Sequence, residues 1–223
     1  MFFSKLKLRP PARSETELLE SLSNPDREHK VLWKFFGGDP DRDRDFIYRR
    51  LLEARLPTFL TISERRPDNP DPKSWMLDVK PFKPDLRPGM VLQFSLRANA
   101  TVKKDGSRHD VVMNYKYELE NEEGVPREEW PPESEIEYKA GLEWIQKRDE
   151  KNGFRIQEES FRVQRHETHR FEKTDSERMI HLGILDMAGT LKVDDEKKFM
   201  DTLREGIGRS KTYGCGMMMV KLP

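Results

Sequence analysis

The chain has 223 residues, enough for two domains of about 100 residues each. Its 41 basic and 41 acidic side chains cancel, so no global field draws it to nucleic acid and any such site must come from local clustering. One cysteine, Cys215, excludes an internal disulfide framework; with no apolar run near about 18 residues and no signal-peptide pattern at the start, a soluble cytoplasmic protein without membrane contact is expected.

Phe2 to Leu8 alternates apolar and basic residues and reads as a first strand. Ser14 and Glu17 have capping-box spacing ahead of Leu18 and Leu19, which predicts a short helical turn. Asn24-Pro25 is a stronger start, an N-cap residue with proline at the first helical position; that helix runs to about Phe36 and stops at Gly37-Gly38. Its His29, Leu32, Trp33 and Phe36 share a face that Val31 and Phe35 widen. Strands are predicted at 46–52, 60–63 and 75–79, with a polar, proline-bearing loop over 64–72. Met90, Leu92, Phe94 and Leu96 alternate with Val91, Gln93, Ser95 and Arg97, the clearest period-two pattern in the chain. The first half therefore reads β-α-β-β and then β, with no second helix before its last strand.

In the second half, 110–113 reads as a short strand and 116–137 as an acidic, loop-like insertion. Tyr138, Leu142 and Ile145 mark an amphipathic helix that ends at Asn152-Gly153. Segments 154–163 and 168–171 predict a long basic hairpin bearing Arg162, Arg165, His166, His169, Arg170 and Lys173, although a solvated edge strand fits the same charges. Residues 179–187 form a strand, and Asp194 caps a helix whose Phe199, Met200 and Leu203 recur at helical spacing. A final strand covers 217–222. Two successive units close to β-α-β-β-α-β give the expected fold class: α+β, with two tandem ferredoxin-like (RRM-like) domains at 1–100 and 108–223.

Residues 206–216 read Gly-Ile-Gly-Arg-Ser-Lys-Thr-Tyr-Gly-Cys-Gly. Gly206, Gly208, Gly214 and Gly216, with Arg209, Ser210 and Lys211 among them, make a loop able to bring backbone N–H groups and two cations against a phosphate. The order is helix, glycine loop, strand, whereas a dinucleotide fingerprint and a Walker A loop both need strand, loop, helix. Both are poor fits, and a glycine-rich helix-to-strand connection stands as the alternative. Cys215, just before the apolar strand, reads as a small buried residue rather than a reactive thiol. His166 and His169 are three apart, but no Cys, Asp or Glu of recognisable spacing surrounds them, so no metal or other cofactor is expected.

Several segments together resemble a known family: Met-Phe-Phe-Ser-Lys-Leu at the start, His29-Lys30-Val31-Leu32-Trp33-Lys34-Phe35-Phe36, Arg44-Asp45-Phe46-Ile47-Tyr48-Arg49, Phe94-Ser95-Leu96-Arg97-Ala98-Asn99, and the glycine loop with its last strand. In that order they are similar to the CasE family, the CRISPR-associated endoribonuclease of the type I-E Cascade complex. The resemblance implies an enzyme that cuts CRISPR precursor RNA within the repeat hairpin, without a metal, by 2′-hydroxyl attack. Its products carry 2′,3′-cyclic phosphate and 5′-hydroxyl ends, and it stays bound to the mature RNA beside other Cascade subunits.

The family's catalytic histidine lies in the first helix, where His29 stands. An imidazole early in a helix suits a general base, since the dipole favours its neutral form, although a lone helical histidine is as well a core or rim residue. Lys211 is then the cation beside the scissile phosphate; by pattern alone it is a solvated loop lysine. RNA binding is expected of Lys30, Arg97, Asn99, Arg162, Arg165, Arg170, Gly206, Gly208, Arg209, Ser210 and Gly214. Two positions depart from the family: Asp26 stands where a tyrosine is usual, and Ala100 where proline is expected. The alternative function is a non-catalytic, RNA-hairpin-binding subunit of a ribonucleoprotein complex.

Overall fold

Alternation in β1 (Phe2–Leu8) buries Ser4, Leu6 and Leu8 and leaves Lys5 in water. The structure is a computed structural model and describes residues 1–10, 22, 24–38, 44–176 and 178–223; the helical turn expected at 14–19 lies outside them. β1 sits between β3 (Thr58–Ser63) and β4 (Trp75–Pro81), and β2 (Phe46–Arg50) lies outside β3, in the antiparallel order β2-β3-β1-β4. Between β1 and β2 runs α1 (Pro25–Trp33), which starts as its sequence dictates: the Asn24 side chain accepts the Arg27 N–H at 2.9 Å and Pro25 opens the helix. A 3-10 turn over Lys34–Phe36 follows, and Gly37 at φ +90° ends it. No helix joins β3 to β4, as the polar loop implied.

The second sheet is built from β5 (Val91–Ala98), β8 (Phe154–Glu172), β9 (Met179–Val193) and β10 (Met218–Lys221), in the order β10-β5-β9-β8. A small hairpin of β6 (Thr101–Lys104) and β7 (Ser107–Asp110) leads from β5 to α2 (Val111–Asn121) and α3 (Glu133–Asp149). The last helix, α4 (Glu196–Glu205), joins β9 to the glycine loop. Taken as second, third, first and fourth strands of their unit, β8-β9-β5-β10 repeats the order β2-β3-β1-β4. The chain is α+β with two tandem ferredoxin-like units.

Four local expectations change. The period-two strand at 91–98, read as the end of the first half, hydrogen-bonds to β9 and β10 and opens the second sheet. Residues 110–113 are not a strand: the Asp110 carboxylate accepts the Val112 and Met113 N–H groups at 2.9 and 3.2 Å, and a helix starts there. The supposed loop at 116–137 is largely helical, because Val111, Val112 and Leu119 give α2 a buried face while its acids stay near water. Segments 154–163 and 168–171 are one strand, β8, broken in register between Gln157 and Arg162 and between Val163 and Arg165; its hairpin partner is β9. In addition, Asp195 rather than Asp194 caps α4, accepting from Lys197 and Lys198 N–H at 3.0 Å.

Each sheet buries one face beneath its own helices. Leu32, Phe35 and Phe36 of the first unit meet Leu6, Leu8, Tyr48, Phe59 and Trp75. In the second, Leu96, Leu185, Met187 and Leu191 meet Val112, Ile145 and Phe199. A separate cluster of Ile47, Leu60, Ile62 and Met217 joins the opposite face of the first sheet to the end of the chain, and Arg49 Nη1 donates to Ser95 O at 2.9 Å across the same junction. Among the described residues no helix is long and apolar enough to cross a membrane.

Candidate functional site

β2 positions the site because its alternation sends Phe46 and Tyr48 towards α1 and Ile47 the other way. The buried Tyr48 hydroxyl donates to Thr212 O at 3.0 Å and has Pro25 O at 3.5 Å, so it links the start of α1 to the glycine loop. His29 sits against this wall, its ring centroid 5.5 Å from Trp33, 5.9 Å from Phe46 and 6.4 Å from Tyr48. Its Nδ1 is buried and without a hydrogen-bond partner. Burial first, and then the Arg44 charge, draw the imidazole pKa down to about 4. The ring is therefore neutral near pH 7, the direction the helix dipole implied but with desolvation as the main cause.

Lys211 opens a 3-10 turn, Lys211–Tyr213, that packs on α1. Arg44, just ahead of β2, donates from Nη1 to Thr212 Oγ1 at 3.4 Å. Burial and then Arg44 lower the Lys211 ammonium pKa. Arg44, Phe46, Arg204 and Lys211 line a cleft of about 250 Å³. His29, Arg44 and Lys211 thus form one electrostatic group. Arg44 and Tyr48 are the members that sequence reasoning missed; the only signal was their place in the Arg-Asp-Phe-Ile-Tyr-Arg segment.

The glycine loop is held from within. Asn99, buried at the end of β5, accepts the Ser210 hydroxyl at 3.1 Å and donates to Gly183 O at 2.7 Å, while its backbone bridges Arg209. Gly206 and Gly216 meet back to back: Ile207 N–H donates to Gly216 O at 2.8 Å and Gly216 N–H to Arg97 O at 2.7 Å. Gly208 lies against the Trp144 ring and Gly214 against Tyr48. Of the loop side chains, Arg209 is exposed and Ser210 and Lys211 are half-buried. Cys215 is fully buried, as expected, and desolvation pushes its thiol up to about 12.

The remaining expected site residues divide. Arg97 is buried in an ion pair with Glu167 and lies 3.8 Å from Asp186. Arg162 pairs with Ala188 and Arg165 with Asp186, two apart on β9, so they share a face; Arg170 pairs with His181 and points to the other. All three are exposed. Lys30 bonds Asp175 at 2.6 Å, beyond the end of β8. Asp26, buried at the start of α1, accepts the Thr174 N–H at 3.0 Å and its hydroxyl at 2.5 Å. Burial alone would raise the Asp26 carboxyl, but the Thr174 bonds and the charges of Lys30 and Lys173 outweigh it and hold it low.

Gly216 at φ +92° and Gly89 at φ +87° test how tightly the loop is clamped. A Cβ at Gly216 would stand 2.7 Å from Ile207 O, whereas at Gly89 nothing lies within 4 Å. Both alanine variants carry left-handed strain, so Gly216→Ala is expected to lose about 1–3 kcal/mol more than Gly89→Ala in urea unfolding. Equal losses would mean that the loop is free to relax.

Residues 1–221 match the family described as CRISPR associated protein. The CRISPR-associated endoribonuclease Cse3 of Thermus thermophilus is 26% identical over 241 aligned positions, covering 99% of both chains. Thermus thermophilus Cse3 bound to an RNA representing a pre-cleavage complex superposes with a TM-score of 0.73 at 23% identity, over 99% of this chain and 98% of that one. A chain of a CRISPR RNA-guided surveillance complex gives 0.64 at 16% identity, over 100% of both. With a family match that spans nearly every residue, this chain belongs to the CRISPR-associated protein family.

Proposed function

We propose that the chain is a metal-independent endoribonuclease that cleaves CRISPR precursor RNA within the repeat hairpin and remains on the mature RNA as a subunit of a Cascade complex. The observation that carries this reading is His29, walled by Trp33, Phe46 and Tyr48 on a helix against which the Lys211 turn packs, in a chain alignable end to end with a named CRISPR endoribonuclease. Neutral His29 takes the proton of the attacking 2′-hydroxyl. Lys211 and Arg44 hold the charge that grows on the phosphoryl oxygens, each well-placed cation lowering the barrier by about 3 kcal/mol. Lys211, its pKa already lowered, returns a proton to the departing 5′ oxygen. The products are a 2′,3′-cyclic phosphate and a 5′-hydroxyl.

Arg162 and Arg165 grip phosphates of the hairpin stem, with Arg209 and Lys30 nearer the cut and Arg170 on the reverse face of β8. An A-form stem offers shape and backbone more than base edges, which suits exposed arginines on a strand. Arg97, Asn99, Gly206, Gly208, Ser210 and Gly214 serve RNA binding indirectly, by fixing the loop. Asp26 has no proton to give, so the reaction proceeds without a phenol at that position.

Cleavage of the cognate repeat RNA in EDTA tests the chemistry. Wild type is expected to cut, a 2′-deoxy sugar before the scissile phosphate to block cutting, and His29→Ala to lose about 10²–10⁴-fold in rate with binding kept. Tight binding by wild type with no cleavage would make the chain the hairpin-binding subunit instead.

The pH profile tests the protonation state. A base is lost as pH falls through its folded pKa, so kcat/KM should hold through pH 6 and fall near the His29 value of about 4. An acid limb near about 6.5, the unperturbed value, would show an imidazole that is not desolvated. Salt dependence tests the grip: replacing Arg162 and Arg165 with alanine should flatten the log-log slope of binding by about two units, since each phosphate that an arginine neutralises adds about 0.9 to that slope. An unchanged slope would take the stem away from this face.

A further inference from the structure

His166 stands on the face of β8 opposite Arg165, paired with Leu185 of β9. The sequence around it offers no ligand spacing, but the fold brings three acids from other elements to its ring. Nε2 lies 3.3 Å from Asp110 Oδ1 at the junction of β7 and α2, and Nδ1 lies 3.7 Å from Glu137 Oε1 on α3. Glu133, one turn earlier on α3, completes a set with Glu137 and His166 whose donor atoms all lie within 4.8 Å of one another. The imidazole is only 12% exposed. Nε2 is wholly shielded from solvent and faces the Asp110 carboxylate.

We propose that His166, Glu137 and Glu133 bind one divalent transition-metal ion of the zinc class, with Asp110 orienting the imidazole from behind. Nδ1 is the ligand nitrogen and Nε2–H turns to Asp110, the carboxylate–histidine–metal arrangement that fixes both tautomer and ring angle. Two ligands each about 2.1 Å from a tetrahedral ion stand about 3.4 Å apart, so the 3.7 Å gap between His166 Nδ1 and Glu137 Oε1 is close to what a shared ion requires. As an ion pair the same gap is too long for a hydrogen bond. One imidazole with two carboxylates suits zinc better than magnesium or calcium, which favour all-oxygen shells.

Asp110 is well fixed for its part. Its Oδ1 caps α2, and a Cβ at Gly183 would collide with Oδ2, so glycine on β9 supplies the seat. Lys116 Nζ holds Glu133 Oε1 at 2.6 Å, which leaves the second oxygen of that half-exposed side chain for the ion. The ion would join β8, α3 and the start of α2. It lies on elements that carry neither His29 nor Lys211, so its role is to stiffen the second unit rather than to take part in cleavage.

The test uses the full chain, stripped with a chelator and dialysed near neutral pH. Calorimetric titration with Zn²⁺ is expected to saturate at one ion per chain and to raise Tm, with Mg²⁺ and Ca²⁺ doing neither. Co²⁺ should give the visible absorption of a four-coordinate site. Asp110→Asn, which keeps the helix cap, should weaken Zn²⁺ binding about 10–100-fold. His166→Gln should abolish it, and Glu137→Gln, on an independent element, should do so if the first variant folds poorly. Absence of saturable one-to-one binding overturns the site, as does binding that survives both ligand variants. A chain that responds at His166 to pH but to no metal would be a charged histidine among acids, which also rejects it.

Discussion

A single buried phenol ties the helix that carries His29 to the loop that carries Lys211. Tyr48 spends its hydroxyl on the Thr212 carbonyl, with the Pro25 carbonyl alongside, so neither partner depends on a side chain for this link. Burial, and then the Glu28 charge, raise the Tyr48 pKa well above the phenol value, which keeps the donor protonated. One such bond is worth only about 1 kcal/mol net, but leaving a buried carbonyl unpaired costs about 1–3 kcal/mol. The ring itself forms the wall behind His29 and the surface against which Gly214 packs. Geometry at the proposed base and at the proposed cation therefore has a common origin in β2.

The glycine loop looks in sequence like a nest for a ligand phosphate, and in the structure its glycines also make room for the protein's own groups. Gly216 admits the Ile207 carbonyl, and Gly208 and Gly214 admit the rings of Trp144 and Tyr48. The apolar residues at its end anchor in opposite directions: Cys215 enters a cluster with Phe171, Leu182 and Ile184, and Met217 one with Ile47, Leu60 and Ile62. A loop pinned on both sides fixes the backbone from which Arg209 and Lys211 project.

Local signals in the sequence located most elements, because caps and alternation act over a few residues. Asn24-Pro25, Gly37 and Gly153 mark helix ends for steric reasons that do not depend on the rest of the chain. Sheet membership is not local. The pattern at 91–98 is the same whether that strand ends one sheet or begins the next, and only its pairing with Ala188 and Met218 neighbours decides. Val-Val-Met at 111–113 carries a strand propensity that the Asp110 cap and the burial of Leu119 override. The candidate site divides in the same way. His29 and Lys211 lie in distinctive segments, whereas Arg44, Tyr48 and the acids around His166 acquire meaning only when distant segments meet.

Asp26 shows how a departure in sequence can be absorbed by structure. A carboxylate at a helix start is favourable by the dipole, and this one also captures both donors of Thr174, beyond the end of β8. Lys30, one turn later, reaches Asp175 at 2.6 Å and Asp26 at 3.7 Å, so two residues of α1 hold the same turn. That turn ends the strand bearing Arg162 and Arg165. The strand proposed to grip RNA and the helix proposed to deprotonate it are thereby fixed to each other through a buried hydrogen-bonded acid. At the position where a phenol is usual, Asp26 adds a latch between the two units.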